Sequence, residues 1–114
     1  MTVARALGYP AAMRNAIVAL HTLTFGSAPV AVERIAADGS QRSYWRLRAA
    51  HGATVVGGHG PDADENRAFL AYSRALREAG LPVPEIFAAD EHLGIWLEED
   101  LGDTTLFAAL SAAR

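Results

Sequence analysis

Arginine side chains are concentrated in one short stretch of the chain, and these residue types are suited to binding an anion. All ten basic residues are arginine, and four of them lie within fifteen positions: Arg34, Arg42, Arg46 and Arg48. A guanidinium group binds phosphate oxygens through paired hydrogen bonds, and such charge-assisted bonds are roughly twice as strong as neutral ones. The stretch therefore predicts a site for a polyphosphate group. A solvated strand face with ordinary ion pairs accounts for the same residues equally well.

Carboxylates form a second group, although their spacing argues against catalysis. Glu98, Glu99 and Asp100 are consecutive at the end of an apolar run. Neighbouring side chains of an extended strand point to opposite sides, so these acids do not converge on a metal ion or form an acid–base pair. No histidine stands at ligand spacing to them, and no serine, histidine and acid are arranged for nucleophilic catalysis. The sequence predicts neither a catalytic residue nor a metal site.

A helix is predicted over residues 62–79, and it gives Glu65 two interpretations. Asp62 and Glu65 have the spacing of a capping box, and Gly80 supplies the stop. Large apolar residues share one stripe of this helix: Phe69, Tyr72 and Leu76. Glu65 lies in line with that stripe, where a buried carboxylate would need a partner such as an arginine. Alternatively, the first helical turn and solvent stabilise it.

The predicted elements are those of a small α+β domain. Five strands are predicted over residues 30–37, 44–49, 53–56, 85–89 and 95–99. In the second strand the apolar face consists of Trp45, Leu47 and Ala49. A first helix is predicted over residues 10–23 from the spacing of Ala12, Ala16, Ala19, Leu20 and Leu23. We expect a five-stranded antiparallel sheet with one packed helix, flanked by amino- and carboxy-terminal helices.

Glycines mark the connections between these elements. Residues 57–61 (GGHGP) predict a flexible turn ahead of the long helix. A phosphate-binding loop is the competing interpretation, but acids that would repel the anion follow at once. The last two strands form a predicted hairpin around Gly94. Its exit at Gly102 is predicted to be a hinge, with Asp103 capping a final helix over residues 104–113.

Length and composition indicate one globular domain spanning residues 1–114. Hydrophobic residues make up 51% and charged residues 20%, which is typical of a folded chain. A net charge of -3 and a pI near 5.7 argue against general affinity for nucleic acid or an anionic membrane. The chain has no cysteine for a disulfide and no apolar run long enough to cross a bilayer. A cytoplasmic location is expected.

Four segments together resemble the amino-terminal lobe of the aminoglycoside phosphotransferase-like kinases. This family has the protein-kinase architecture and includes sugar, choline and amino-sugar kinases. The segments are residues 38–47 (DGSQRSYWRL), 64–69 (DENRAF), 80–86 (GLPVPEI) and 97–103 (LEEDLGD). The resemblance extends over residues 30–114. It implies transfer of the γ-phosphate of ATP, with Mg²⁺, to a hydroxyl of a small molecule such as a sugar, an amino sugar or an aminoglycoside-like compound.

The same resemblance implies nucleotide-binding roles for particular residues. Val56 would pack against the adenine, and the backbone around Glu99 and Leu101 would form hydrogen bonds with it. Glu65 would align the group that binds the phosphates. The loop over the phosphates would consist of Gly39, Ser40, Gln41, Arg42 and Ser43.

The chain departs from the family pattern in two ways. The third strand of these kinases usually carries a lysine that contacts the phosphates, whereas this chain contains no lysine. Arg42 or Arg46 is the expected substitute. The catalytic loop and the metal-binding aspartate belong to a carboxy-terminal lobe of the same parent protein, so the chain alone is expected to transfer no phosphate. The alternative, which the missing lysine favours, is a non-catalytic kinase-like module that binds a protein partner.

Overall fold

The computed structural model describes residues 9–35 and 41–102, which form two helices and five strands. The helices are α1 (Tyr9–Phe25) and α2 (Ala63–Glu78). The strands are β1 (Ala31–Ile35), β2 (Ser43–Arg48), β3 (Thr54–His59), β4 (Ile86–Asp90) and β5 (Ile95–Glu99). Neither helix is long and apolar enough to cross a membrane. Some predictions concern positions outside the described residues: Gly39, Ser40, Asp103, the helix predicted over 104–113 and the end of the first predicted strand.

All five strands pair antiparallel in one sheet, in the order β1-β2-β3-β5-β4. The predicted α+β class and five-stranded antiparallel sheet are therefore confirmed. The first three strands form a meander, and β4 and β5 form the predicted hairpin around Gly94, whose φ is 71°. Because β5 pairs with β3, the segment that leaves β5 runs beside the start of β3 and the end of β2.

The main core lies between α1 and one face of the sheet. Trp45 and Leu47 point towards α1 from β2, as their alternation predicts, and are only 3% and 0% exposed. Ile17 of α1 packs in the same cluster, which also includes Ile95 and Leu97 of β5. A large buried aromatic and branched aliphatic side chains supply most of the apolar area in such a core. This packing determines which sheet face is left for other contacts.

The inner face of α1 differs from the predicted stripe. Its buried residues are Ala12, Met13, Ile17 and His21. Ala19 is exposed and Leu23 is 84% exposed, so the predicted stripe is wrong at these two positions. Met13, Ile17 and His21 are four residues apart and share one side of the helix. The burial of His21 is compensated by a hydrogen bond of 3.0 Å between its Nδ1 and the Ser27 carbonyl.

The glycine-rich segment 57–61 begins inside β3, so the prediction of a turn over its first residues is wrong. Gly57 and Gly58 belong to β3 and pair with β5. A Cβ on Gly57 would collide with Ile17 of α1, and a Cβ on Gly58 would lie 2.7 Å from the indole nitrogen of Trp96. Glycine stands here because neighbouring side chains occupy the space that a side chain would need. The sequence alone presents the same residues as a turn signal.

Helix α2 begins and ends with the caps that the sequence predicts. The Asp62 carboxylate accepts a hydrogen bond from the Glu65 amide at 3.0 Å. At the other end Gly80 has a φ of 87°, and its amide donates to the Arg77 carbonyl at 3.0 Å. This is the arrangement of a Schellman motif, in which glycine takes the left-handed position.

The inner face of α2 is rotated from the predicted stripe. Its buried residues are Asn66, Leu70 and Ser73, each one position after a residue of that stripe. Glu65 is exposed and Tyr72 is 58% exposed. The prediction of a buried Glu65 is therefore wrong, and its alternative, a solvated residue in the first turn, holds. Asn66 tolerates burial because its side-chain amide donates to the Gly60 carbonyl at 2.8 Å.

Candidate functional site

The sheet face opposite α1 gathers residues from three adjacent strands. Arg46 of β2 lies beside Val56 of β3, which in turn lies beside Glu98 of β5. Residues directly opposite each other in antiparallel strands point to the same side of the sheet. Arg46 alternates with Trp45 and Leu47, which point to α1, so this row lies on the other side. We call the side defined by Arg46, Val56 and Glu98 the arginine face.

Arg46 is held by the segment that leaves β5. Its Nε lies 2.8 Å from Asp100 Oδ2, and its Nη2 lies 3.3 Å from Asp100 Oδ1. Nη2 also donates to the Gly102 carbonyl at 3.0 Å, and Nη1 lies 3.5 Å from Glu33 of β1. The side chains of Arg46 and Asp100 are 17% and 8% exposed. This two-pronged ion pair therefore joins β2 to the segment after β5, past the start of β3.

The surroundings of Asp100 favour its ionised form. Burial acts to raise the pKa of Asp100, but hydrogen bonds from Arg46, from the Thr54 hydroxyl at 2.7 Å and from the Gly102 amide at 2.8 Å outweigh burial. The pKa therefore lies below its ordinary value of 3.8. The resulting stability is present above that value and is lost as the pH falls through the lower folded-state pKa.

Trp96 is the centre of an aromatic cluster at the other end of the arginine face. It is 0% exposed, and its ring centroid lies 5.3 Å from that of Phe69 in α2 and 6.2 Å from that of Tyr44 in β2. The Arg42 guanidinium lies 4.4 Å from the Phe69 centroid and 5.9 Å from the Trp96 centroid. Because a cation is attracted to the face of an aromatic ring, this stacking holds Arg42 beside α2.

Glu98 places a carboxylate in the same cluster. Its Oε1 accepts a hydrogen bond from Trp96 Nε1 at 2.9 Å. Burial raises the pKa of Glu98, and this effect exceeds the lowering by the Trp96 hydrogen bond and by the positive charge of Arg42. The negative charge of Asp100 adds to the rise. The ionised form of Glu98 is therefore less favourable in the folded protein than in the unfolded chain.

Replacing Glu98 by glutamine is expected to improve stability at neutral pH relative to stability in acid. A carboxyl whose folded-state pKa is raised loses stability as the pH climbs from its ordinary value of 4.5 through the raised value. Glutamine accepts the same Trp96 hydrogen bond and does not titrate, so the variant avoids that loss. Urea unfolding at several pH values measures the difference. Parallel pH profiles for the two proteins would contradict this account of Glu98.

A cavity of about 590 Å³ lies where the start of β2 meets the start of α2. Its walls include Gln41, Arg42, Gly60, Glu65, Asn66, Phe69 and Tyr72. The volume falls within the range of about 300–1,000 Å³ found for small-molecule sites. The cavity combines a guanidinium, two side-chain amides and two aromatic rings. This chemistry suits a ligand with a planar or an anionic part.

Asn66 fixes the wall that α2 contributes to the cavity. Its hydrogen bond to the Gly60 carbonyl joins α2 to the end of β3, and the Gly60 amide donates to the Gly94 carbonyl at 3.1 Å. A Cβ on Gly94 would lie 2.7 Å from the Gly60 carbonyl oxygen, so the two backbones approach closely. Sequence reasoning missed this arrangement because the buried position on α2 is polar.

The predicted adenine-binding segment at the end of β5 is tied to β4 and α2. The Glu99 amide donates to the Glu85 carbonyl at 2.8 Å. The Glu99 carboxylate accepts hydrogen bonds from Arg77 of α2 at 2.7 Å and from the Glu85 amide at 3.1 Å. The Glu99 amide is therefore used within the protein. Leu101 follows at a half-buried position, between Asp100 and Gly102.

The structure brings most of the predicted site residues to two places. Gln41, Arg42 and Glu65 line the cavity. Arg46, Val56, Glu99 and Leu101 lie around the exit of β5. The Ser43 side chain belongs to neither group: its hydroxyl accepts a hydrogen bond from Arg34 at 3.1 Å. Sequence reasoning missed the contributions of Thr54, Asn66 and Trp96, and the alternation along β5 is the only signal that points to Trp96.

A scan against protein-family models gives no match, and neither does a search of curated proteins. Within residues 9–35 and 41–102, no three histidine or acidic side chains converge so that they could hold a metal ion. The arginine face and the cavity are therefore the two candidate functional sites of the described residues.

Proposed function

We propose that this chain is the nucleotide-side lobe of an ATP-dependent phosphotransferase that acts on a hydroxyl of a sugar, an amino sugar or an aminoglycoside-like compound. The observation that carries the proposal is the Arg46–Asp100 ion pair, which puts the arginine-rich strand against the exit of β5. The resemblance in sequence requires these two segments to contact one nucleotide, so they must lie together. The five-stranded antiparallel sheet with α2 is compatible with such a lobe.

The base of the nucleotide is proposed to lie near Val56 and Leu101. Val56 is an apolar residue of the arginine face that lies between Arg46 and Glu98 and is 7% exposed. Leu101 is half-buried in the segment that leaves β5. Because the Glu99 amide already donates to Glu85, we assign the main-chain hydrogen bonds with the base to Leu101. A planar ring against an apolar side chain, with main-chain polar groups at its edge, is a common mode of recognition.

The phosphates are proposed to lie towards Arg42. Arg46 is the weaker candidate, because its guanidinium already binds Asp100, Glu33 and the Gly102 carbonyl. Arg42 lines the cavity together with Gln41, and its guanidinium lies 4.4 Å from the Phe69 ring centroid, so a planar cationic group borders the space proposed for the phosphates. We therefore assign to Arg42 the role that a lysine has in related kinases.

The third strand could not supply that lysine without rearrangement. Gly58 lies beside Trp96 in the register of β3 and β5, and the indole fills the space that a side chain at Gly58 would need. Trp96 thus replaces a long cationic side chain with an aromatic surface, on which Arg42 lies at 5.9 Å. The positive charge is then supplied by Arg42, the residue just before β2, and the absence of lysine is compatible with phosphate binding.

The contribution of this chain to the reaction would be positioning and charge neutralisation. ATP with magnesium supplies the transferable phosphoryl group when bound. Val56 and Leu101 would orient the base, and Arg42 would offset the negative charge of the phosphates. The metal ligands and the group that accepts the hydroxyl proton are proposed to belong to another part of the parent protein. The chain alone is therefore expected to bind nucleotide without transferring phosphate.

Replacing Arg42 by alanine is expected to weaken binding of ATP with magnesium about 10- to 100-fold, since a hydrogen bond to a charged group contributes about 1.5–3 kcal/mol. The affinity of Arg42→Lys should lie between those of the wild type and Arg42→Ala, because lysine keeps the charge but lacks the planar guanidinium group. Isothermal titration calorimetry on the chain measures the affinities.

The matched control is Arg67→Ala, which removes an arginine whose side chain is 62% exposed and paired with Asp64 at 3.2 Å. It should leave the affinity unchanged. Binding that Arg42→Ala does not weaken would contradict the assignment of Arg42. A folded chain that binds no ATP would refute the proposed function itself.

A protein-binding module without catalysis is the second candidate, and an exposed apolar cluster favours it. Phe25 at the end of α1 and Phe87 in β4 are 44% and 37% exposed, and their ring centroids lie 5.8 Å apart. Leu23 nearby in sequence is 84% exposed. Exposed aromatic residues that cluster in this way are typical of protein contacts. The calorimetric titration separates the candidates, because this second function requires no nucleotide.

A further inference from the structure

Arg46 and Asp100 bind both backbone polar groups of Gly102, in the segment after β5. Asp100 Oδ1 accepts a hydrogen bond from the Gly102 amide at 2.8 Å, and Arg46 Nη2 donates to the Gly102 carbonyl at 3.0 Å. Gly102 has a φ of 72°, a conformation that glycine adopts at little cost. The peptide groups on both sides of Gly102 are therefore fixed in direction.

Two further elements hold the pair itself in place. The Thr54 hydroxyl of β3 donates to Asp100 Oδ2 at 2.7 Å, and Glu33 of β1 lies 3.5 Å from Arg46 Nη1. The ion pair is thus contacted by β1 and β3 in addition to β2, which carries Arg46. Because the Asp100 side chain is only 8% exposed, competition by water is limited for its hydrogen bonds with Arg46 and Thr54. The arrangement is a rigid support, in contrast to a loosely solvated surface pair.

We propose that Arg46 and Asp100 are positioning residues for the nucleotide, because they fix the backbone of residues 100–102 in the conformation that binds the base. This inference rests on the proposed function. Because the Gly102 amide donates to Asp100, the peptide group that contains the Leu101 carbonyl is fixed in direction. A binding segment that is ordered in advance loses less conformational freedom when the ligand arrives. Arg46 thereby acts through the backbone and has no need to touch the phosphates.

Asp100→Asn tests the proposal with little change in shape. The variant keeps the size of the side chain but loses the charge that binds Arg46, and its affinity for ATP with magnesium should fall roughly tenfold. Exchange of the Gly102 amide proton with solvent, followed by NMR, should become faster in the same variant. Arg46→Lys keeps the charge but loses the second prong, and both measurements should move in the same direction. Thr54→Val offers a milder variant if Asp100→Asn folds poorly.

Arg77→Gln is the matched control. It removes an ion pair of similar length, 2.7 Å from Arg77 to Glu99, at the same end of β5, and Arg77 contacts Glu99, Glu85 and the Val83 carbonyl rather than Gly102. Its affinity for the nucleotide and its Gly102 exchange rate should match those of the wild type. This control separates positioning from a general loss of stability.

The outcomes distinguish this inference from the proposed function. Weaker binding together with faster Gly102 exchange, in Asp100→Asn but not in Arg77→Gln, supports the positioning role. Unchanged affinity in Asp100→Asn, with wild-type protein that binds ATP, would overturn the positioning role and leave the proposed function standing. Absence of binding by the folded wild-type chain would overturn both.

Discussion

Replacing Gly58 by alanine is expected to destabilise the domain by about 3 kcal/mol, near the upper end of the range for overpacked cores. The added Cβ would lie 2.7 Å from the indole nitrogen of Trp96, and closer still to two of its ring carbons. Trp96 is 0% exposed and packs between Phe69 and Tyr44, so the ring has little room to move away. The free energy of unfolding from urea titration measures the effect.

Gly52→Ala is the matched control for this prediction. No atom lies within 4 Å of a Cβ at Gly52, but its φ of 97° makes alanine strained there, at a cost of roughly 1–2 kcal/mol. Combining Gly58→Ala with Trp96→Phe should be less harmful than the sum of the two single changes, since the smaller ring leaves space for the methyl group. A Gly58→Ala protein as stable as the wild type would contradict the close packing of β3 against Trp96.

Replacing Asp100 by alanine is expected to destabilise the domain by about 3 kcal/mol, the lower end of the range for breaking a buried ion pair, because Arg46 keeps its contacts with Glu33 and the Gly102 carbonyl. Arg46 would lose two of its contacts at 2.8 Å and 3.3 Å, and the Thr54 hydroxyl would lose its acceptor. Urea unfolding at neutral pH measures the loss. A double-mutant cycle with Arg46→Ala gives the coupling energy of the pair.

The control for Asp100 is Asp64→Ala, which breaks an ion pair of 3.2 Å whose carboxylate is 92% exposed. Exposed pairs contribute at most about 1 kcal/mol, so this variant should remain close to the wild type. The deficit of Asp100→Ala should also shrink in acid, because the wild type loses the stability from Asp100 as the pH falls through its lowered pKa. A loss of stability as small as that of Asp64→Ala would contradict a stabilising ion pair between Arg46 of β2 and Asp100.

The parts of the fold that depend on local patterns could be predicted from the sequence. Trp45 and Leu47 alternate with polar residues, which predicts a strand with one buried face. The hairpin around Gly94 follows from two apolar runs separated by a turn. The caps of α2 at Asp62 and Gly80 also depend only on neighbouring residues. Such features are determined within a few positions, where single-residue preferences suffice.

The predictions that failed concern contacts between residues that are far apart in the sequence. Gly58 is glycine because Trp96, in another strand, fills the adjacent space, and no local pattern contains that information. Arg46 belongs to a cluster suited to phosphate, but its actual partner Asp100 is separated by 54 positions. Asn66 is buried because the Gly60 carbonyl accepts its amide hydrogen, so a hydrophobic stripe places the inner face of α2 one position too early.

The structure leaves the candidate site where the sequence predicts it but changes the roles proposed for its residues. The arginine-rich strand and the exit of β5 are neighbours, as a nucleotide spanning them requires. Within that arrangement Arg46 becomes a support for the backbone, and Arg42 becomes the candidate for the phosphates. Glu65 stands at the rim of the cavity as an exposed residue, so an ion pair with a buried arginine is no part of the proposal.

Amide NMR spectra of the chain, titrated with ATP and magnesium into the millimolar range, test the central claim most directly. The proposal predicts saturable shifts at Val56, Leu101 and the cavity residues Gln41 and Arg42, whereas residues on the solvent side of α1 should not shift. A folded chain whose spectrum does not change, or whose shifts are confined to the surface around Phe25 and Phe87, would contradict the proposal that this domain binds a nucleotide.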